Sequence, residues 1–328
     1  MTDPQPILEL IYAFRRSKTM FAAVGLGVFD QLEAGPAGVE SFPDFDRSAI
    51  ERLLDACVSL GLLEKEGETY RNTPLASQYL VRSSPHTMSG YIVYSNYALF
   101  PMWQKLEDAL REGTNRWMPV FGFPPGDLFR HFFSTPEAAR NFLLGMHGFG
   151  QLSSREVASA FDLSRFRRMV DLGGGTGHLA LAMIDRYPGM TAALFELPDA
   201  IEFARGMTGG RIELIAGDFF KDPLPAADLY AVGRILHDWA EDTIMRLLAR
   251  IYDVLPSGGA LLVAEALLDD DRRGPVDTHM QSLNMLVCTE GRERTLPEYR
   301  ELLEAAGFVG VNGRRTGTPL DAVLAFKS

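Results

Sequence analysis

The chain has 328 residues, of which 46% are apolar and 23% charged, and its net charge is −11. That length exceeds the size at which one hydrophobic core usually stops growing, and the composition excludes a disordered chain. The acidic balance argues against a nucleic-acid surface, which needs clustered cations; Arg15-Arg16, Arg167-Arg168, Arg272-Arg273 and Arg314-Arg315 are isolated pairs. Cys57 and Cys288 each lie in an apolar helical pattern, as reduced buried thiols do, and no His/Cys/Asp spacing suggests a metal site. Met1 to Glu9 is polar, without a signal-peptide pattern, and no apolar run approaches the ~20 residues of a membrane span. A cytoplasmic protein is expected.

The first part of the chain reads as helical. Ile7, Leu10, Ile11 and Phe14 recur at helical spacing, and Met20 to Leu32 suggests a second helix ended by Gly35-Pro36. A third starts near Ser48 and ends before Gly61. Leu62 to Asn72 then reads as a short hairpin turning at Glu66-Gly67. Helices followed by a hairpin suggest a winged-helix arrangement over residues 1–90. The missing basic face favours a dimerisation role over a DNA-binding regulator. Residues 91–160 read as a helical segment rich in aromatics, some of which could line an apolar pocket.

From about residue 161 strands alternate with helices, which implies a parallel sheet of Rossmann-like α/β type. Strands are expected near Met169–Leu172, Ala192–Glu196, Ile212–Ala216, Leu229–Val232 and Ala260–Glu265, with a last pair near Val309–Gly313 and Ala322–Phe326. Helices should follow Gly177 and Pro198 and span Glu241 to Val254.

The stretch Val170-Asp171-Leu172-Gly173-Gly174-Gly175-Thr176-Gly177 is a strand running into a glycine-rich turn that opens a helix. Glycine lets the backbone turn sharply and approach a ligand closely. Glu196, about 20 residues past the loop, is placed to accept from ribose hydroxyls, and Gly217-Asp218-Phe219 offers a carboxylate and a ring for an adenine. Gly175 to Ala180 also fits a weak dinucleotide pattern, so a nicotinamide-dependent dehydrogenase is the alternative. Against it, the carboxylate of Asp171 would repel a pyrophosphate and suits an ammonium or a sulfonium.

His237 follows the fourth strand, at the carboxyl edge where open α/β sheets bind ligands; Glu265 ends the fifth strand on the same edge, and Glu293 lies in a polar turn after an apolar helix. A neutral imidazole could take the proton of an acceptor hydroxyl, with a carboxylate on its other nitrogen fixing the tautomer. Each of these residues also has an ordinary structural reading: Glu293, for instance, could simply pair with Arg292 or Arg294.

Asp-Leu-Gly-Gly-Gly-Thr-Gly at 171–177, Gly-Asp-Phe-Phe at 217–220, Leu-His-Asp-Trp at 236–239 and Gly-Arg-Glu-Arg-Thr at 291–295 together resemble the caffeic-acid-type small-molecule O-methyltransferases. Asp-Pro-Leu-Pro at 222–225 and Ser-Leu-Asn-Met-Leu-Val at 282–287 are similar to the acetylserotonin (hydroxyindole) branch, and the likeness covers nearly the whole chain. The resemblance implies a homodimer formed through the N-terminal segment, S-adenosylmethionine bound in the domain at 161–328, and a small aromatic substrate. It implies catalytic roles for His237, Glu265, Glu293 and Asp238, and cofactor contacts from Phe133, Asp171, Gly173, Gly175, Glu196, Gly217, Asp218, Phe219 and Arg234. Asn284, Met285 and Cys288 fall where the substrate is contacted. There are departures: Phe133, Gly150 and Cys288 stand where that branch carries Tyr, Trp and Gln.

Overall fold

A computed structural model describes residues 2–123 and 135–328 of the chain. Two compact units emerge, Met1–Phe100 and Pro101–Ser328.

In the first unit, the two helices expected between Ile7 and Leu32 divide differently. One helix runs unbroken over Gln5–Gly25, and a short one follows over Val28–Glu33. The break falls at Gly27, whose φ of 73° is left-handed, not within the apolar repeat, because that repeat continues through Met20 without a helix-breaking residue. The next helix, Arg47–Ser59, is capped by Asp46, whose carboxylate accepts from the N–H of Ala49 at 2.8 Å. The hairpin follows as expected: β1 (Leu63–Glu66) pairs antiparallel with β2 (Thr69–Asn72). Phe29, Leu54, Cys57 and Tyr70 are buried together in this unit's core. Ile7, Leu10 and Phe14, by contrast, are 60%, 72% and 56% exposed.

The second unit is built on a seven-stranded sheet. Its strands are β3 (Arg168–Leu172), β4 (Thr191–Glu196), β5 (Glu213–Ala216), β6 (Leu229–Gly233), β7 (Ala260–Glu265), β10 (Val309–Arg314) and β11 (Asp321–Phe326). All seven expected strands form, in the order β10-β11-β7-β6-β3-β4-β5. The sheet is mixed, however, since β11 pairs antiparallel with both β7 and β10. A short loop can reverse β10 into β11, whereas a parallel pair needs a crossover of a dozen residues or more. A separate two-stranded piece, β8 (Leu267–Leu268) with β9 (Arg294–Thr295), was not legible beforehand because each strand has only two residues.

Period-two alternation drives both faces of the sheet into core. Met169, Leu194, Leu229 and Leu262 face one cluster with Leu179 and Met183 of the helix His178–Arg186. Val170, Phe195, Val232 and Val263 face the other with Ile244, Leu247, Leu248 and Ile251 of the helix Glu241–Val254. A sheet covered on both sides leaves its strand ends as the natural ligand edge. The strand order reverses between β3 and β6, so a crevice is expected beyond their carboxyl ends. No helix among the described residues is long and apolar enough to cross a membrane.

Candidate active site

β3 delivers the chain into the glycine turn. Gly173, Gly175 and Gly177 all have left-handed φ angles of 58° to 76°. A Cβ on Gly173 would lie 2.6 Å from Ile235 Cδ1, and one on Gly174 would lie 2.3 Å from the carboxylate of Asp171. Asp171 therefore looks onto the turn. It is buried, and neither carboxylate oxygen has a well-formed hydrogen bond among the described residues, although the Ala180 N–H lies close enough to act against the effect of burial. Burial, with the negative charge of Glu196 added, pushes its carboxyl up to about 7. An unpaired buried polar group is costly, and a pair of them aimed at a glycine turn marks a place for a hydrogen-bonding ligand.

Glu196, at the end of β4, accepts from the N–H of Gly175 at 3.0 Å and from that of Leu197 at 2.7 Å. After β5, a Cβ on Gly217 would collide with the ring of Phe195. Asp218 caps the following turn by accepting from Phe220 N–H and pairs with Lys221, while Phe219 packs against Gly173. Arg234 holds a left-handed φ of 57°, unusual for a non-glycine residue, and its guanidinium lies over the ring of Phe149 at 5.1 Å. Its buried Nε has no partner among the described residues. Phe133, expected beside the cofactor, lies outside the described residues.

His237 sits in the turn Leu236–Asp238 that follows β6, and Glu265 is the last residue of β7. Glu293 comes from the segment before β9, roughly thirty residues further along. Their meeting has local causes. Glu265 Oε1 accepts from the N–H groups of Ile235 at 3.0 Å and Leu236 at 2.9 Å, which pins the turn. Gly291 passes so close that a Cβ there would lie 2.1 Å from the His237 carbonyl, and Glu290 N–H donates to the Asp238 carbonyl at 3.1 Å. Arg292 is occupied by Glu298 and Glu241, leaving Glu293 for the histidine.

The result is a buried cluster. His237 Nδ1 lies 2.6 Å from Glu293 Oε1 and 3.4 Å from Glu265 Oε2, and Nε2 lies 3.7 Å from Asp238 Oδ1. Burial alone would lower the imidazole, but Glu265, Glu293 and Asp238 outweigh it and raise His237 to about 10. Asp238 is itself pushed up to about 6, chiefly by burial. The three side chains His237, Glu265 and Glu293 bring potential metal-ligand atoms within 4.8 Å of one another, a grouping no sequence spacing announced. A 2.6 Å contact is that of a strong hydrogen bond. With Nδ1–H donated to Glu293, Nε2 is the atom left to accept a proton.

The helix Val276–Cys288 brings Asn284, Met285 and Cys288 into buried positions. Asn284 Oδ1 accepts from Trp103 Nε1 at 2.9 Å, and the Cys288 thiol donates to the Asn284 carbonyl at 2.8 Å. Burial first, and then the charge of Asp238, raise the Cys288 thiol, so this helix end lies within electrostatic reach of the histidine cluster. Cys57 is likewise a buried free thiol.

Sequence reasoning missed a second histidine pair beside the glycine turn. His147 Nδ1 bonds Thr176 Oγ1 at 2.7 Å, and His178 Nδ1 bonds Ser154 Oγ at 2.8 Å. Burial, with His147 and Arg234 adding to it, lowers His178 to about 3, which keeps it neutral. The signal available was Gly150: a Cβ there would lie 2.2 Å from His178 Nε2, so the imidazole fills the space that glycine leaves.

Comparison with known proteins identifies the family. Residues 103–309 match the O-methyltransferase domain and residues 8–82 the O-methyltransferase dimerisation domain. Bovine acetylserotonin O-methyltransferase is 43% identical over 332 residues, 97% of this chain and 96% of that protein. The human probable bifunctional dTTP/UTP pyrophosphatase/methyltransferase protein is 43% identical across 99% of this chain, which spans 54% of that longer protein. The crystal structure of human N-acetylserotonin methyltransferase in complex with SAM superposes with a TM-score of 0.93 at 41% identity, covering 99% of this chain and 97% of that one. With a family match over most of its length and full-length relatives above 40% identity, the chain belongs to the O-methyltransferase family.

Proposed function

We propose that the protein transfers a methyl group from S-adenosylmethionine to a hydroxyl of a small aromatic acceptor, phenolic or hydroxyindole, with His237 as general base. The observation that carries this reading is the 2.6 Å contact between His237 Nδ1 and Glu293, buried at the edge where the glycine turn also opens.

The donor site fits the cofactor by its own chemistry. Asp171, with two buried oxygens that lack a well-formed hydrogen bond, suits the ammonium of an amino acid; Glu196 suits ribose hydroxyls; Asp218 and Phe219 suit the adenine. Gly173, Gly175 and Gly217 leave the backbone open to it, and Arg234 stands beside them. When bound, the cofactor supplies a methyl group already activated on a sulfonium. Deprotonating the acceptor is then the task of the protein. A free phenol has a pKa of about 10. The carboxylates around His237 strengthen its hold on a proton, so the ring, once neutral, can take the hydroxyl proton at Nε2. Glu293 and Glu265 stabilise the imidazolium that forms and hold the ring in place. Asn284, Met285 and Cys288 are the acceptor-facing residues of this reading.

The N-terminal segment, 1–90, would form a homodimer; the exposed Ile7, Leu10, Ile11 and Phe14 of its first helix are surface a second copy could cover. The family assignment leaves the dinucleotide reading of Gly175 to Ala180 without support.

Calorimetry with S-adenosylmethionine and S-adenosylhomocysteine, followed by labelled methyl transfer to a panel of hydroxylated aromatics, tests the reading. Binding of both and transfer to at least one phenol or hydroxyindole are expected. Failure of either ligand to bind, or transfer only to nitrogen or carbon acceptors, overturns it.

A further inference from the structure

Arg294 is the remaining charged residue of the Gly-Arg-Glu-Arg segment, and nothing above gives it a task. It is only 1% exposed, and among the described residues no carboxylate lies within ion-pairing distance of it. A buried arginine is expensive unless its donors and its charge are both used. Its Nη1 donates to the carbonyl of Arg292 at 3.0 Å and, more weakly, to that of Leu236 at 3.4 Å, while its Nε is buried without a hydrogen bond among the described residues. Leu236 immediately precedes His237, and Arg292 immediately precedes Glu293. One nitrogen thus spans the two backbone segments whose side chains meet at 2.6 Å.

The charge is used at longer range. The Tyr299 hydroxyl, fully buried, lies in the fields of Glu265, Glu293 and Arg294 together. Arg294 is therefore a fixed cation close behind a group of buried carboxylates.

We propose that Arg294 is a positioning residue for methyl transfer, clamping the His237 turn to the Glu293 segment. The proposal rests on the reading of His237 as the base. Losing the clamp lets the ring and Glu293 drift apart, and misplacement by about 1 Å can cost about 10²-fold in rate. As Glu293 withdraws, the imidazole loses a partner that holds its proton, so it should ionise at lower pH.

The test uses Arg294→Met and Arg294→Lys in the full chain, each also combined with His237→Ala. Turnover, S-adenosylhomocysteine affinity and the NMR titration of the His237 imidazole are measured. Arg294→Met is expected to keep affinity within about twofold, lose about 10- to 100-fold in turnover, and move the imidazole titration downward. Arg294→Lys should restore only part of the turnover and of the titration, since one ammonium cannot reproduce the planar fork. On a His237→Ala background, Arg294→Met should cost nothing further. Normal turnover with an unmoved titration overturns the proposal, and so does an equal loss on the His237→Ala background. Affinity falling in step with turnover overturns it too, as that marks a merely structural arginine. If Arg294→Met does not fold, wild-type turnover in Arg294→Lys is enough to reject the clamp. The base reading is judged separately, by the turnover of His237→Ala alone, while the titration reports on Arg294 whichever way that falls.

Discussion

The two halves of the site at the sheet edge differ in whether their charged side chains meet one another. Around the glycine turn, Asp171 buries two oxygens with no well-formed hydrogen bond among the described residues, and Arg234 buries an unpaired Nε. Around His237 the charged side chains meet: Glu265 holds the turn, Glu293 holds the ring and Gly291 lets the two segments touch, while Glu265 Oε2, Glu293 Oε2 and Arg294 Nε stay buried without a hydrogen bond among the described residues. The first region stores unmet hydrogen-bonding capacity that a ligand can satisfy. The second is built before any ligand arrives. A donor site gains affinity from unfilled bonds, whereas a base gains rate from a geometry fixed in advance.

Substitutions that strike only one half sharpen the contrast. His237→Ala should lose about 10²- to 10⁴-fold in turnover while binding S-adenosylhomocysteine normally; labelled transfer and calorimetry together check this, and a matching loss of binding would merge the two halves. Turnover should climb by up to about tenfold per pH unit from pH 6 upward, since His237 is raised to about 10 and must be neutral to act. The same shift makes a stability contribution with a defined sign. It is fully present below the unfolded value of about 6.5 and is lost as pH rises through about 10, which thermal melts across that range can follow.

Asp171→Asn should weaken cofactor binding by about 10- to 100-fold and yet stabilise the ligand-free protein. The carboxyl is raised from 3.8 to about 7, so its stabilising share is present below 3.8 and lost as pH rises through 7. The amide escapes that loss, and melts at pH 8 should show a gain of about 1–3 kcal/mol that shrinks towards pH 4. The smallest effect is expected for Trp103→Phe, which removes the 2.9 Å donor to Asn284. A few-fold rise in the acceptor KM, with cofactor affinity untouched, would place Trp103 behind the acceptor side alone.

Much of this was legible from residues. The strands of the sheet were readable because apolar runs between glycine and proline breaks leave few alternatives, and the strand ends then positioned Asp171, Glu196, His237 and Glu265. Glu293 could be nominated but not placed, since its approach depends on Gly291 meeting the His237 carbonyl from a distant segment. The roles of Trp103, His147 and Arg294 were invisible for the same reason: each acts through one contact across the fold, and no local period encodes it. The join at Gly27 was misjudged because an apolar repeat carries no mark of where a helix stops.

Gly150 and His178 occupy what is in effect a single volume. The imidazole rests where any side chain at 150 would begin, and Ser154 tethers both, its hydroxyl donating to the Gly150 carbonyl and accepting from the ring at Nδ1. The two positions can therefore only be exchanged as a pair. Enlarging residue 150 alone evicts the ring from beside the glycine turn, whereas His178→Ala opens the room a large residue at 150 requires. Anyone grafting the acetylserotonin-type residue into this position has to rewrite both addresses in one stroke.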